Sequence, residues 1–167
     1  MASLIAIRKC PELIFDKLRF EAYKAVSTQI RGIFAEFTDQ IEPLSLDEAY
    51  LDVTNCLSDG QTATQLAQTI KERIKDETYL TSSVGMSYNK FLAKLASDYR
   101  KPDGLFVIKP RQGLAFVETL KVGQFHGIGR ETAERMNELS KSLGRKRRPT
   151  CQRYVLKSCF TRLKRSL

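Results

Sequence analysis

The sequence predicts an α+β layer, with helices packed on one face of a mostly antiparallel sheet. Three patterns lead there. Ala49, Leu51 and Val53 alternate with Tyr50, Asp52 and Thr54, the period-two signature of a strand with one apolar face. Tyr23, Val26, Ile30, Ile33, Phe34 and Phe37 recur at three- and four-residue spacing, which puts them on one face of a helix. Stretches of the two kinds then follow in the order helix, strand, strand, helix, strand, helix, strand.

Residues 1–14 stay open between a short helix and a strand through Leu4, Ile5 and Ile7, ended by Cys10-Pro11. A helix is predicted over 20–37. The stretch 41–54 reads as a tight β-hairpin, with Pro43 suited to an edge strand and Ser45 to Asp47 supplying turn chemistry. A helix over 61–77 carries Leu66, Ala67, Ile70 and Ile74 on one face, capped by Ser58 or Asp59. Leu80, Ser82, Val84 and Met86 mark a strand. Ser87-Tyr88-Asn89 opens a helix that buries Phe91, Leu92, Leu95, Ala96 and Tyr99. Lys101-Pro102-Asp103-Gly104 is a turn in which Pro ends the helix and Gly takes positive φ. A strand over 105–108 and a helix from Pro110 to about residue 120 complete the series. With one more strand in front, this order would be the ferredoxin-like βαββαβ unit. Beyond it, Gly123, Gly127 and Gly129 flank a short connection, and a helix begins near Arg130. Such glycines let backbone N–H groups approach an anion, and they equally suit a plain helix–helix turn.

A length of 167 residues fits one domain or one and a piece, and 42% hydrophobic content is enough for a core. No run of eighteen apolar residues exists, so no membrane span is expected. Residues 1–10 lack the layout of a secretory signal, so a cytoplasmic location is the expectation. Cys10, Cys56, Cys151 and Cys159 form no CxxC pair and His126 is the only histidine, which argues against zinc. The net charge of +9 is unevenly spread. Residues 141–167 hold ten Lys/Arg and no acid, so the body before them has 18 basic against 19 acidic residues. Basicity is therefore a property of the tail, and the overall isoelectric point says little about the body.

Two adjacent carboxylates, Asp47 and Glu48, sit where the second hairpin strand begins. Mg²⁺ takes hard oxygen ligands and is commonly held by one or two carboxylates plus substrate phosphates. A solvated, charged hairpin end is the plain alternative. Neighbours on a regular strand point to opposite faces, so the turn must re-aim one of the two for both to serve one site.

Ser45-Leu46-Asp47-Glu48-Ala49-Tyr50-Leu51-Asp52-Val53-Thr54 resembles the second catalytic motif of the Y-family translesion DNA polymerases. Residues 83–98, running on into Lys101-Pro102-Asp103-Gly104 and the strand after it, are similar to the DNA polymerase IV branch of that family. Gly127-Ile128-Gly129 with Thr132-Ala133-Glu134 looks like the helix-hairpin-helix of its thumb. The resemblance implies the end of a fingers domain over 1–18, a palm over 19–108 and the start of an all-helical thumb over 109–139. Asp47 would then be the metal carboxylate for Mg²⁺ and Glu48 the neighbouring catalytic carboxylate. Lys101 would touch the triphosphate of the incoming dNTP. Gly127, Gly129 and Arg130 would meet primer-template DNA. For Lys101, a solvated cation favoured by the helix dipole is the plain alternative, and both roles can hold together. Asp52 reads as strand-surface polarity, with a site role as the minor alternative.

Departures from the family pattern are part of the reading. The ferredoxin-like palm lacks a match to its first strand, which in the family carries a further metal Asp, and Asp16 does not fill that place. A weak or inactive chain is expected on that ground. No match to a little finger or a clamp-binding segment is seen. His126 stands where the family usually has Pro. The divergent basic tail, 140–167, reads either as disordered or as an amphipathic helix through Leu156, Phe160, Leu163 and Leu167 that could bind DNA phosphates or an anionic membrane. The expected function is thus a fragment of a DNA-directed DNA polymerase, with a non-catalytic basic DNA-binding remnant as the alternative.

Overall fold

The computed structural model describes residues 2–142. Six helices and four strands occur among them: α1 (Ser3–Lys9), α2 (Phe20–Ala35), β1 (Ile41–Pro43), β2 (Ala49–Leu51), α3 (Ala63–Thr78), β3 (Val84–Ser87), α4 (Lys90–Tyr99), β4 (Leu105–Ile108), α5 (Gly113–Thr119) and α6 (Arg130–Ser142). The segment left open at the start is the helix α1, and none of its side chains is buried.

The predicted hairpin is present. β1 and β2 pair antiparallel, with Ile41 opposite Leu51 and Pro43 opposite Ala49. Its second strand is shorter than the alternation suggested, because Asp52 turns the chain. The backbone N–H and hydroxyl of Thr54 both donate to Asp52 Oδ1, at 2.9 and 2.6 Å.

The single, mostly antiparallel sheet is not formed. β3 and β4 pair parallel, from Val84 opposite Leu105 to Ser87 opposite Ile108, and no ladder joins them to β1 and β2 among the described residues. The reason is the connection. A helix between two strands carries the chain back to its starting end, so the second strand runs parallel to the first. Alternation shows which residues share a face and carries no information about strand direction.

Two apolar clusters result. One gathers Ile33 of α2 and Leu66, Ile70 and Ile74 of α3, with Leu51 and Val53 packed beside them. The other gathers Leu92, Leu95 and Ala96 of α4 with Ile108, Val117, Leu120 and Phe125. Gly85 makes the second cluster possible. A Cβ there would lie 2.1 Å from the Ala93 carbonyl oxygen, so α4 could not lie so close on β3. Tyr23 and Tyr99, expected on buried faces, are exposed at the rims of their helices.

Several local signals resolve differently from the sequence reading. Thr62, not Ser58 or Asp59, caps α3. Its hydroxyl accepts from the Gln65 N–H, and the Gln65 side chain accepts from the Thr62 N–H at 2.8 Å, a reciprocal capping box. The strand expected from Leu80 starts only at Val84, because Tyr79 ends α3 in the left-handed region and the chain must first cross to β4. In the turn after α4, positive φ falls on Asp103 (54°), not Gly104. Gly104 is needed for space, since a Cβ there would sit 1.9 Å from the Arg100 carbonyl oxygen. Pro110 opens a 3₁₀ turn (Pro110–Gln112) that leads into α5. Helix α6 runs through Ser142, past the expected end of the thumb at 139. Most of the basic tail, including the 156–167 pattern, lies outside the described residues.

Leu92 is fully buried where α4 meets β4 and α5. Replacing it by Ala is expected to destabilise the chain by about 2–5 kcal/mol, read from urea unfolding.

Candidate active site

The hairpin turn is built to present its two acids. The backbone N–H groups of Leu44 and Ser45 both donate to the Glu48 carbonyl, at 2.9 and 3.1 Å, closing the loop ahead of β2. Arg31 of α2 donates to the Ser45 carbonyl at 3.3 Å, which pins the turn from below. The Ser45 hydroxyl donates to Asp47 Oδ1 at 2.7 Å and orients an exposed carboxylate. Glu48 is half-buried and turns toward α4, where the buried Lys94 donates to its Oε1 at 2.9 Å.

Lys94 carries the chain of contacts onward. Its ammonium also reaches Asp98 Oδ2 at 3.3 Å, one helical turn along. Asp98 Oδ1 pairs with Lys101 at 2.7 Å. Glu48 and Lys101, distant in sequence, thus stand at the two ends of an alternating acid–base series, Glu48–Lys94–Asp98–Lys101. Burial by itself would lower the Lys94 pKa, but the hydrogen bond to Glu48 and the charge of Asp98 carry it above the ordinary lysine value. Burial likewise pushes Asp98 up, and the two lysines outweigh it and hold its carboxyl below the usual range. Both groups are therefore charged at neutral pH.

A second buried lysine fixes the turn that bears Lys101. Lys71 of α3 donates to the Ser82 carbonyl at 2.6 Å, to the Asp103 carbonyl at 2.7 Å and to Asp103 Oδ1 at 2.6 Å. That pairing lowers the Asp103 pKa. Neither Lys71 nor Lys94 was singled out from the sequence. For Lys71 a signal existed: it shares the apolar stripe of Ala67, Ile70 and Ile74, where a lysine needs a buried partner. For Lys94 the only hint was its spacing of four from Asp98.

Asp52 stays outside the group. Its carboxylate is occupied by Thr54, which lowers its pKa, and it is exposed, as the strand-surface reading required. The glycine connection forms a separate corner. Gly127 takes φ +83° in the turn before α6, and the Gly129 carbonyl accepts the Ala133 N–H at 3.0 Å to start that helix. Arg130 is exposed and pairs with Glu134 of its own helix at 3.7 Å. Phe125, stacked on Phe91 at 6.2 Å between centroids, fastens this corner to α4. No hydrogen bond or ion pair joins Gly127, Gly129 or Arg130 to the acid–base series among the described residues. Two surface hollows among those residues, one at Lys109–Gln112 and one along α6, do not include the series either.

Asp47 and Glu48 are the side chains of this turn that could hold a divalent ion. Among the described residues Asp47 Oδ2 and Glu48 Oε2 have no hydrogen-bond partner, while the other oxygen of each carboxylate is held in place. Among the described residues no group of three or more His, Cys, Asp or Glu forms an all-protein cage. Mg²⁺ is commonly held by one or two carboxylates together with substrate phosphates.

The model of the impB/mucB/samB family matches residues 1–98. The chain belongs to the impB/mucB/samB family. It is 59% identical over 144 residues to "DNA polymerase IV 3" of Mesorhizobium japonicum, covering 86% of this chain and 40% of that protein. It is 54% identical over 140 residues to the DNA polymerase IV of Akkermansia muciniphila, covering 84% of this chain and 39% of that one. Among solved structures it is similar to a DinB-family error-prone DNA polymerase from Sulfolobus solfataricus, with TM-score 0.74, 38% identity, 83% of this chain and 42% of that chain covered. It is similar as well to an insertion ternary complex of Dbh DNA polymerase, with TM-score 0.72, 38% identity, 83% of this chain and 41% of that chain. The Y-family resemblance read from the motifs is borne out. The family chain spans about 40% of the length of the curated relatives it matches.

Two outcomes follow from the buried lysines. Lys94→Met leaves Glu48 half-buried without its partner and is expected to cost about 1–3 kcal/mol in urea unfolding. Adding Glu48→Gln to it should cost less than the sum of the single changes. Asp103 and Asp98 have pKa values depressed by their lysines, so their stabilisation is complete above the unfolded carboxylate value near 4 and is lost as pH falls through the folded values below it. The thermal midpoint should therefore drop below about pH 4, and Asp103→Asn should flatten that acid limb.

Proposed function

We propose that the chain carries the palm side of a Y-family nucleotidyl-transfer site, over 19–108, with the end of a fingers domain before it and the start of a thumb over 109–139. The observation that carries this is the Glu48–Lys94–Asp98–Lys101 series, which ties the hairpin carboxylate to the lysine after α4. The names of the relatives support the reaction class, since those proteins are named DNA polymerase IV.

In this reading Asp47 and Glu48 hold Mg²⁺, which when bound supplies Lewis acidity and neutralises charge shared between attacking and leaving oxygens. Ser45 keeps the Asp47 carboxylate aimed outward, and Lys94 keeps Glu48 from swinging into solvent. Lys101 offers a point charge to the triphosphate of the dNTP. Gly127 and Gly129 let backbone N–H groups approach a phosphate of primer-template DNA, and Arg130 adds a charge beside them. No helix is long and apolar enough to cross a membrane among the described residues, and a cytoplasmic site of action on DNA is part of the proposal.

The test is metal binding together with primer extension. Mn²⁺, which can be followed by electron paramagnetic resonance, is expected to bind with Asp47 as a ligand. Asp47→Ala should weaken it by at least the roughly 10- to 100-fold that losing a supporting group costs a metal site. Any template-directed synthesis by the chain with Mg²⁺ and dNTPs should vanish with the same change. Mn²⁺ affinity and synthesis that both survive Asp47→Ala would overturn the reading.

A further inference from the structure

Asp98 pairs with both Lys94 and Lys101. Its Oδ1 takes Lys101 at 2.7 Å and its Oδ2 takes Lys94 at 3.3 Å. We propose that Asp98 is a positioning residue that stands in for the nucleotide's triphosphate, holding Lys101 until phosphate oxygens take that lysine from it. This inference rests on the reading of Lys101 as the triphosphate lysine.

Three observations carry it. First, the Asp98–Lys101 pair is open to solvent, with side chains 48% and 54% exposed, and exposed pairs are weak enough to exchange partners readily. Second, the exchange strands no charge. When Lys101 leaves, Asp98 keeps Lys94, and the buried Lys94 keeps Glu48 as well. Third, carboxylate and phosphate oxygens are interchangeable acceptors for an ammonium, which carries three donors on a flexible stem. Lys101 can pass from one to the other by side-chain rotation, with the turn held by Lys71 and Asp103. Asp98 therefore keeps the lysine pre-aimed at the site and competes with the ligand for it.

The experiment titrates the full chain with inorganic tripolyphosphate and Mg²⁺ in four versions: unchanged, Asp98→Asn, Lys101→Ala and the double variant. Asp98→Asn is expected to tighten binding about two- to five-fold, the range set by releasing one exposed ion pair. Lys101→Ala should weaken it, and the gain from Asp98→Asn should disappear in the Lys101→Ala background. Unchanged or weaker binding in Asp98→Asn overturns the proposal. So does a gain of the same size without Lys101, which would mean that Asp98 acts only through its general field. If Lys101→Ala leaves binding untouched, the assignment of Lys101 itself falls, and the inference with it. A second measurement needs no ligand: in ¹⁵N-lysine NMR, Asp98→Asn should shift the ammonium signals of both Lys94 and Lys101, and two unmoved signals overturn the shared pairing.

Discussion

The ammonium of Lys94 is the contact on which the rest depends. The strand pair that carries the acids and the strand pair beneath α4 share no backbone ladder among the described residues. Something other than sheet hydrogen bonds must fix one against the other. Lys94 does so from inside α4 by reaching Glu48 across the gap. A lysine taken out of water is costly unless its charge is matched and its donors are used. Here two carboxylates match it, so burial and pairing are one requirement. The geometry that stabilises the junction is the same geometry that orients the site.

Lys71 repeats the device on the other side. Its three bonds to Ser82 and Asp103 tie α3 to the segment leading into β3 and to the turn leaving α4. The apolar clusters each serve a separate set of elements, α2 and α3 with the hairpin in one, α4 with β4 and α5 in the other. Charged cross-links between clusters give a specific relative placement that non-directional apolar contact would leave loose. The proposed site lies on that seam, with Asp47 and Glu48 on one bank and Lys101 on the other. The glycine corner is fastened to the second bank through Phe125 and Phe91.

Much of this was legible residue by residue. Alternation from Ala49 marked the hairpin, and the stripe of Leu66, Ala67, Ile70 and Ile74 marked the buried face of α3, because both patterns follow from local geometry alone. Asn89 before α4 was legible for the same reason: its side chain accepts the Leu92 N–H at 2.9 Å within one turn of chain. Where local options competed, the choice was not readable. Ser58, Asp59 and Thr62 could each cap α3, and the partner three residues on, Gln65, decided for Thr62. In the turn after α4, Gly104 was the natural candidate for positive φ, but crowding against Arg100 claimed the glycine and left the left-handed position to Asp103.

The sequence by itself determined the family, the hairpin with its paired acids, and the faces of the main helices. These depend on residue order and on periods of two and 3.6, which a chain displays before it folds. Tertiary structure alone decided that β3 and β4 run parallel and that two lysines are buried as cross-links. Those outcomes depend on which surfaces meet, and a charge four residues from another looks the same in a sequence whether it ends in water or between two carboxylates.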